Sequence, residues 1–262
     1  MSKDIALVTG GTKGIGKALC LRLKEAGYQV FSASRSNCLP QGMNGITQIS
    51  VDFSNSLETR SFAQKFLEQY GVPKLLINNA GYGAFYEWAE FPEEEINRQI
   101  QVLFSSPVEL CRIFAPAMAK QSRGVIVNLS SLATLYTLPF MPLYNAGKSA
   151  LSSFSQTLML EYKHSPAIID FRMGDVRTGF NLSARKQVNH SEPMKCAWTQ
   201  IDKQLQASIS PDRAAQQIFF RIQSAKSGTY FGGGCFHALF LPKVDRILPS
   251  FVKIFLIKQW YR

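Results

Sequence analysis

Several large protein classes are excluded by what this sequence lacks. No uninterrupted apolar run reaches the roughly 18 residues expected of an ordinary membrane-spanning helix. The chain opens almost directly into a strand-like run, so no signal peptide is expected. Its five cysteines, at positions 20, 38, 111, 196 and 235, are scattered, odd in number and contain no CxxC pair. Reduced thiols in a cytoplasmic compartment are the expectation. The three histidines, His164, His190 and His237, show no metal-ligand spacing, and no cysteine–histidine site appears, so no metal is expected. Carboxylates are scarce: 18 Asp and Glu stand against 29 Lys and Arg, a formal net charge of +11. Such an excess calls for an anionic partner, either a phosphorylated cofactor, an acidic protein, nucleic acid or an anionic membrane face. The basic residues are dispersed and form no arm or basic helix, so nucleic acid is not expected.

The 262 residues, 46% of them hydrophobic, are enough for one large α/β domain or two small ones, and exclude disorder. Short apolar runs occur at Ile5–Val8, Val30–Ala33, Ile46–Val51, Leu75–Ile77, Val125–Leu129 and Ile168–Phe171. None alternates cleanly, which is how strands buried on both faces of a parallel sheet read. Helix-like segments separate them, near 14–26, 56–70, 92–119, 143–163 and 211–223. Ser210-Pro211-Asp212 is a strong helix start. The alternation predicts an α/β fold with a single doubly wound parallel sheet and helices on both faces, one domain spanning 1–262. Two regions break it. Residues 179–209 read as a polar, irregular lid, and 236–262 as an apolar, basic tail.

After the first apolar run comes Thr9-Gly10-Gly11-Thr12-Lys13-Gly14-Ile15-Gly16. Glycines permit a tight turn and let a pyrophosphate approach the next helix, whose free amides and dipole favour the anion. The spacing is Gly-x-x-x-Gly-x-Gly, distinct from the common Gly-x-Gly-x-x-Gly. Gly10, Thr12, Lys13, Gly14, Ile15 and Gly16 are therefore candidate dinucleotide ligands. A second strand that serves NAD ends in an acid for the ribose 2′-hydroxyl. Here Ser34 and Arg35 stand at that place. With no carboxylate to repel a 2′-phosphate, and with Arg35 and Lys13 within reach of one, NADP(H) is the expected cofactor.

Tyr144 and Lys148 are four residues apart and share a helix face. An ammonium beside a phenol lowers a pKa that is otherwise about 10. Ser131 lies thirteen residues before Tyr144, just beyond the run 125–129, where a doubly wound sheet presents ligand-binding groups. With Asp52 after the third run and Asn78-Asn79-Ala80-Gly81 after the fourth, these motifs resemble the short-chain dehydrogenase/reductase family, in its branch of about 250 residues, over positions 3–178. The resemblance implies a Rossmann-like fold and hydride transfer between NADP(H) and a carbonyl. It assigns Tyr144 as the general acid and Ser131 as hydrogen-bond partner of the substrate oxygen. Lys148 would lower the Tyr144 pKa and hold the nicotinamide ribose. Asp52 would sit near the adenine, Asn79 would steady the sheet edge, and Ala80 and Gly81 would leave room for the cofactor. Thr178 would contact the nicotinamide or diphosphate. A homodimer or homotetramer through the long helices is also implied.

Two positions depart from the family pattern. Leu103 occupies the place of a helix Asn that organises water beside the lysine, and Met173 replaces the proline of a Pro-Gly pair. Leu103 reads either as a position recruited to the core or as the mark of a specialised enzyme. Large apolar residues cluster near the expected substrate end: Phe85, Tyr86 and Trp88; Tyr136, Leu138, Phe140 and Met141; Phe180, Leu182, Met194, Trp198 and Ile201. They predict a small hydrophobic carbonyl substrate, lipid-, polyketide- or steroid-like, unless some are plain core. In the tail, apolar residues at 244, 247, 248, 251, 252 and 255 suggest one helical stripe unless Pro249 interrupts it, with Arg246, Lys253, Lys258 and Arg262 as basic flanks. Three roles fit it: a membrane-surface contact, a subunit contact, or a cover for the chain's own pocket. Two other functions remain open, a weakly catalytic NADP(H)-binding regulator or scaffold and a reductase of acyl groups held on an acidic carrier protein. The location expected is cytoplasmic, with membrane association left open.

Overall fold

The structure, a computed structural model, describes residues 3–180 and 184–261. Leu182 and Arg262 lie outside the described residues. Seven of the strands build one parallel sheet: β1 (Ile5–Thr9), β2 (Gln29–Ser34), β3 (Thr47–Ser50), β4 (Leu75–Asn78), β6 (Val125–Ser131), β7 (Ala167–Met173) and β9 (Gly228–Gly232). Their order is β3-β2-β1-β4-β6-β7-β9. Two short strands, β5 (Ala84–Phe85) and β8 (Arg185–Lys186), pair separately beside it.

Both faces of the sheet are covered, which explains why its strands carry no polar alternation. Ala6 and Val8 point into a core with Leu19 and Leu23 of α1 (Gly14–Glu25) and Ile218 and Ile222 of α7 (Pro211–Ser224). Leu7 between them points the other way, toward Phe62 and Phe66 of α2 (Ser56–Tyr70) and Phe114 of α4 (Ser106–Lys120). Successive side chains on a strand alternate faces, so both sets must be apolar. Chain order reverses across β1 and β4, which opens a crevice at the carboxyl ends of these strands.

The third helical segment is interrupted by a π-helical turn. Helix α3 (Glu93–Ile100) passes through a π-helical turn at Gln101–Ser105 into α4. Together they form the one helix among the described residues, Glu93–Lys120, long and apolar enough to cross a membrane. Half of its apolar window is buried, with Leu110, Phe114 and Met118 in the sheet core. Helix α5 (Pro142–Glu161) packs beside it and carries the Tyr144–Lys148 pair.

Three sequence expectations change. The segment 179–209 is not irregular throughout: β8 and α6 (Glu192–Gln206) order it. Ser191 caps α6 by accepting from the Met194 amide, and Met194, Ala197, Ile201 and Leu205 bury one stripe. Polar residues on the other faces conceal that stripe in the sequence. The strand β9 is missing from the apolar runs because Gly228-Thr229-Tyr230-Phe231-Gly232 is short and glycine-bounded. In the tail a π-helical turn (Phe236–Phe240) runs into α8 (Leu241–Asp245), and α9 (Ser250–Trp260) is separate because Pro249 interrupts the pattern. The tail's apolar positions consequently do not form one stripe.

Candidate active site

The strand ends bring the predicted residues to the wall of one cavity of about 1210 Å³. At its start, Asn79 holds the glycine loop against β4. The Asn79 side-chain amide donates to the carbonyls of Thr9 at 2.8 Å and Gly10 at 3.2 Å. Thr9 Oγ1 accepts from the Asn79 and Ala80 amides at 3.0 and 2.9 Å. Gly10 turns with φ +67°, and a Cβ at Gly16 would lie 2.3 Å from the Gly10 carbonyl oxygen. Glycine at 16 is thus a steric requirement of the loop. Gly10, Thr12, Lys13, Gly14 and Ile15 line the cavity, whereas Gly16 sits buried beneath the turn. No side chain caps α1 and its first turn contains no acid, so its leading amides and positive dipole end suit an anion. Thr178 packs against Gly14, near enough that a Cβ there would meet its methyl at 3.2 Å.

Past β2, the Ser34 hydroxyl accepts from Gln48 Nε2 at 3.0 Å. Arg35 and Lys13 are exposed on the cavity wall, and neither has a carboxylate within ion-pair distance among the described residues. Asp52 accepts from the Ser54 amide and hydroxyl at 2.9 and 2.8 Å. Burial alone would raise its pKa, but those bonds and the nearby Arg35 and Arg98 guanidiniums hold the carboxyl below its ordinary value. Arg98 lines the same end of the cavity, a residue that sequence reasoning missed because it lies outside any motif.

Ser131 closes β6 and accepts the Ala133 amide at 3.1 Å. Tyr144, Lys148 and Ser131 all face the cavity. Burial pushes the Tyr144 phenol above its ordinary value, aided by the Asp175 carboxylate and opposed by a hydrogen bond with Ser131. Lys148 Nζ donates to the Leu129 carbonyl at 2.6 Å and lies 6.0 Å from the Tyr144 ring centre. Burial pushes the lysine down to about 8, with the Asp170 carboxylate pulling the other way. Burial is the largest influence on both groups.

Glycine loop, asparagine clamp and serine–tyrosine–lysine set lie on one wall of one crevice, and a family model described as short chain dehydrogenase matches residues 4–189. The chain belongs to that family. Among curated relatives of this short-chain dehydrogenase is 3-ketodihydrosphingosine reductase of Bacteroides thetaiotaomicron, 32% identical over 69% of this chain and 66% of that protein. Another is very-long-chain 3-oxoacyl-CoA reductase of Bos taurus, 31% identical over 63% of this chain and 56% of the relative. The chain therefore aligns with a little under two thirds, or just over half, of these relatives' length. A solved short-chain dehydrogenase from Streptomyces avermitilis superposes with a TM-score of 0.81 over 97% of this chain and 98% of that one, at 23% identity.

Within this short-chain dehydrogenase, Leu103 is fully buried in the π-helical turn. A Cβ at Gly81 would meet Leu103 Cδ2 at 3.1 Å and Lys148 Nζ at 3.7 Å, and one at Gly147 would meet Leu103 Cβ at 2.9 Å. Leu103 thus packs between the Asn-Ala-Gly turn and helix α5, beside the lysine, as a core position. Beneath the lysine lies a polar group that the sequence did not reveal. Asp170 on β7 is fully buried and accepts from the hydroxyls of Ser130 and Ser152, the latter at 2.6 Å, and from Arg172 Nε at 3.1 Å.

The large apolar residues form overlapping sets, with Leu138, Met141, Phe180 and Ile201 in both a small core and the cavity wall. Phe85, Met194 and Trp198 form a small core under the site with Phe140. Trp88 is exposed. Tyr136, Leu138, Met141, Phe180 and Ile201 line the cavity, joined by Leu241, Val244, Leu248 and Leu256 of the tail. The tail covers the chain's own pocket. Arg185 of the lid segment also lines the cavity and pairs with Glu95, which is buried and accepts from the Tyr82 hydroxyl at 2.8 Å.

Proposed function

We propose that the chain is an NADP(H)-dependent oxidoreductase that reduces the carbonyl of a hydrophobic, lipid-like substrate to an alcohol. The observation that carries this reading is the joining of Ser131, Tyr144 and Lys148 to a long apolar cavity in one continuous space. The glycine loop and uncapped start of α1 fit a diphosphate, and Lys13 and Arg35 fit a 2′-phosphate. Bound NADPH supplies the hydride. Tyr144 keeps its proton at neutral pH, because burial raises its pKa, and donates it from Oη to the carbonyl oxygen. Ser131 hydrogen-bonds the same oxygen and orients it. Lys148, fixed on the Leu129 carbonyl, would bind the ribose hydroxyls. The names of the two relatives, which refer to 3-ketodihydrosphingosine and a very-long-chain 3-oxoacyl-CoA, support a lipid-like substrate.

The test is Tyr144→Phe. NADPH consumption with a panel of hydrophobic ketones should vanish while NADPH binding, followed by its fluorescence, persists. Equal turnover in the variant would remove Tyr144 as the acid. A second reading, an NADP(H)-binding regulator with little catalysis, is excluded by measurable wild-type turnover on the same panel. A homodimer or homotetramer through α4 and α5 is the assembly expected, and sedimentation equilibrium reads it.

A further inference from the structure

We infer that the C-terminal segment docks the mouth of the catalytic cavity onto an anionic lipid surface, so that substrate enters from the bilayer. The purpose of this contact rests on the lipid-like substrate proposed above, but the contact itself does not. Most of the exposed large apolar side chains among the described residues lie between positions 236 and 260. Ile247 is 81% exposed, Phe251 74% and Phe255 58%. Helix α9 is mostly apolar, with Lys253, Lys258 and Gln259 scattered over its faces, and yet none of its residues is buried. A helix of that kind in water marks a surface that something covers.

Two observations select the occupant. First, the patch and the cavity share residues. Phe240, Leu256 and Trp260 line the catalytic cavity and are also about half exposed. The cavity mouth therefore lies within the apolar patch, and a chain leaving a bilayer there would not cross water. Second, the patch is basic. Between 236 and 261 the sequence has a single carboxylate, Asp245, and Lys253 neutralises it at 2.6 Å. Lys243, Arg246 and Lys258 remain exposed, without an ion pair among the described residues. A two-fold dimer through this face would set identical patches, and hence like charges, against each other. An anionic headgroup layer complements them, while Phe and Trp side chains suit the acyl boundary.

The experiment is vesicle sedimentation of the full chain, with phosphatidylcholine alone and with phosphatidylcholine containing phosphatidylglycerol. The wild type should pellet with the anionic vesicles and be released by salt of about 0.5 M, where charges are screened within a few ångströms. Phe251→Asp with Phe255→Asp changes side chains that do not line the cavity. This double variant should lose at least about tenfold in vesicle partitioning while reducing a water-soluble ketone at the wild-type rate. Its thermal melting and NADPH binding, unchanged, show that it is folded. Lys243→Glu with Lys258→Glu should remove the preference for anionic lipid. A wild type that does not pellet overturns the proposal. So does a wild-type dimer that the double variant converts to monomer without any vesicle binding, which would make a second copy the occupant. If the wild type pellets but turns over no ketone, the docking stands and the reductase reading fails.

Discussion

Arg35 and Lys148 show how single residues set the chemistry. Arg35 has no carboxylate within ion-pair distance among the described residues and stands on the cavity wall beyond β2. A charge-assisted contact to phosphate contributes about 1.5–3 kcal/mol. Arg35→Glu should therefore raise the KM for NADPH by roughly 10- to 100-fold and leave that for NADH nearly unchanged. Steady-state kinetics with both cofactors reads this, and parallel changes would place Arg35 away from the 2′-phosphate. Lys148 is held charged against burial, its pKa depressed from 10.5 to about 8. That depression costs the fold on the order of 3 kcal/mol wherever both states are protonated, below about pH 8. Between about 8 and 10.5 the unfolded chain binds more protons than the folded one, so stability rises with pH and the cost disappears. Lys148→Met should accordingly be inactive but more resistant to urea at pH 7, with the advantage shrinking toward pH 10.5. A variant less stable at pH 7 would show that the hydrogen bond to Leu129 outweighs the burial cost.

At the scale of elements, the π-helical turn at Gln101–Ser105 and the helix α6 separate what patterns reveal from what they hide. The position of Leu103 was readable by counting along the family motif, but not its neighbours. The turn places it between Gly81 and Gly147, two residues remote in sequence. Leu103→Ala should cost about 3 kcal/mol in urea denaturation, the usual effect of removing a fully buried leucine, and should weaken cofactor binding by loosening the Gly81 turn. A loss under about 1 kcal/mol would mean that the surrounding groups collapse into the space. Helix α6 was hidden although Ser191-Glu192-Pro193 resembles the Ser210-Pro211-Asp212 start that was read correctly. Its four buried residues are spread through a mostly polar segment, and burial against Phe85 and Met141 decides the outcome. The strands of the sheet were legible for the opposite reason, since burial on both faces leaves a continuous local signal.

For the whole molecule, the governing feature is that distant segments enclose one cavity: strand ends, the lid helix α6 and the tail. An apolar chain lying along those walls should gain about 0.8 kcal/mol per methylene. For a series of straight-chain ketones, KM should fall about fourfold per added methylene until the cavity is filled, and then level off. A KM independent of length would put the apolar walls outside the substrate path. This cavity also accounts for the apolar tail, which sequence periodicity assigned to one amphipathic helix with three candidate partners. Pro249 breaks it, one side covers the pocket, and the other remains exposed.

The sequence by itself determined six of the seven sheet strands, the glycine loop and the serine, tyrosine and lysine positions, because each rests on contacts or spacings within a short stretch of chain. It also determined the charge imbalance of +11. Only the tertiary structure decided the partners that come from far along the chain. Asp170 beneath Lys148, Arg98 beside Asp52, Leu103 against two glycines and the tail across the cavity mouth all depend on packing between remote segments. Packing of that kind leaves no period or motif in the sequence, since its determinants are the shapes and charges of surfaces that meet only when the sheet closes.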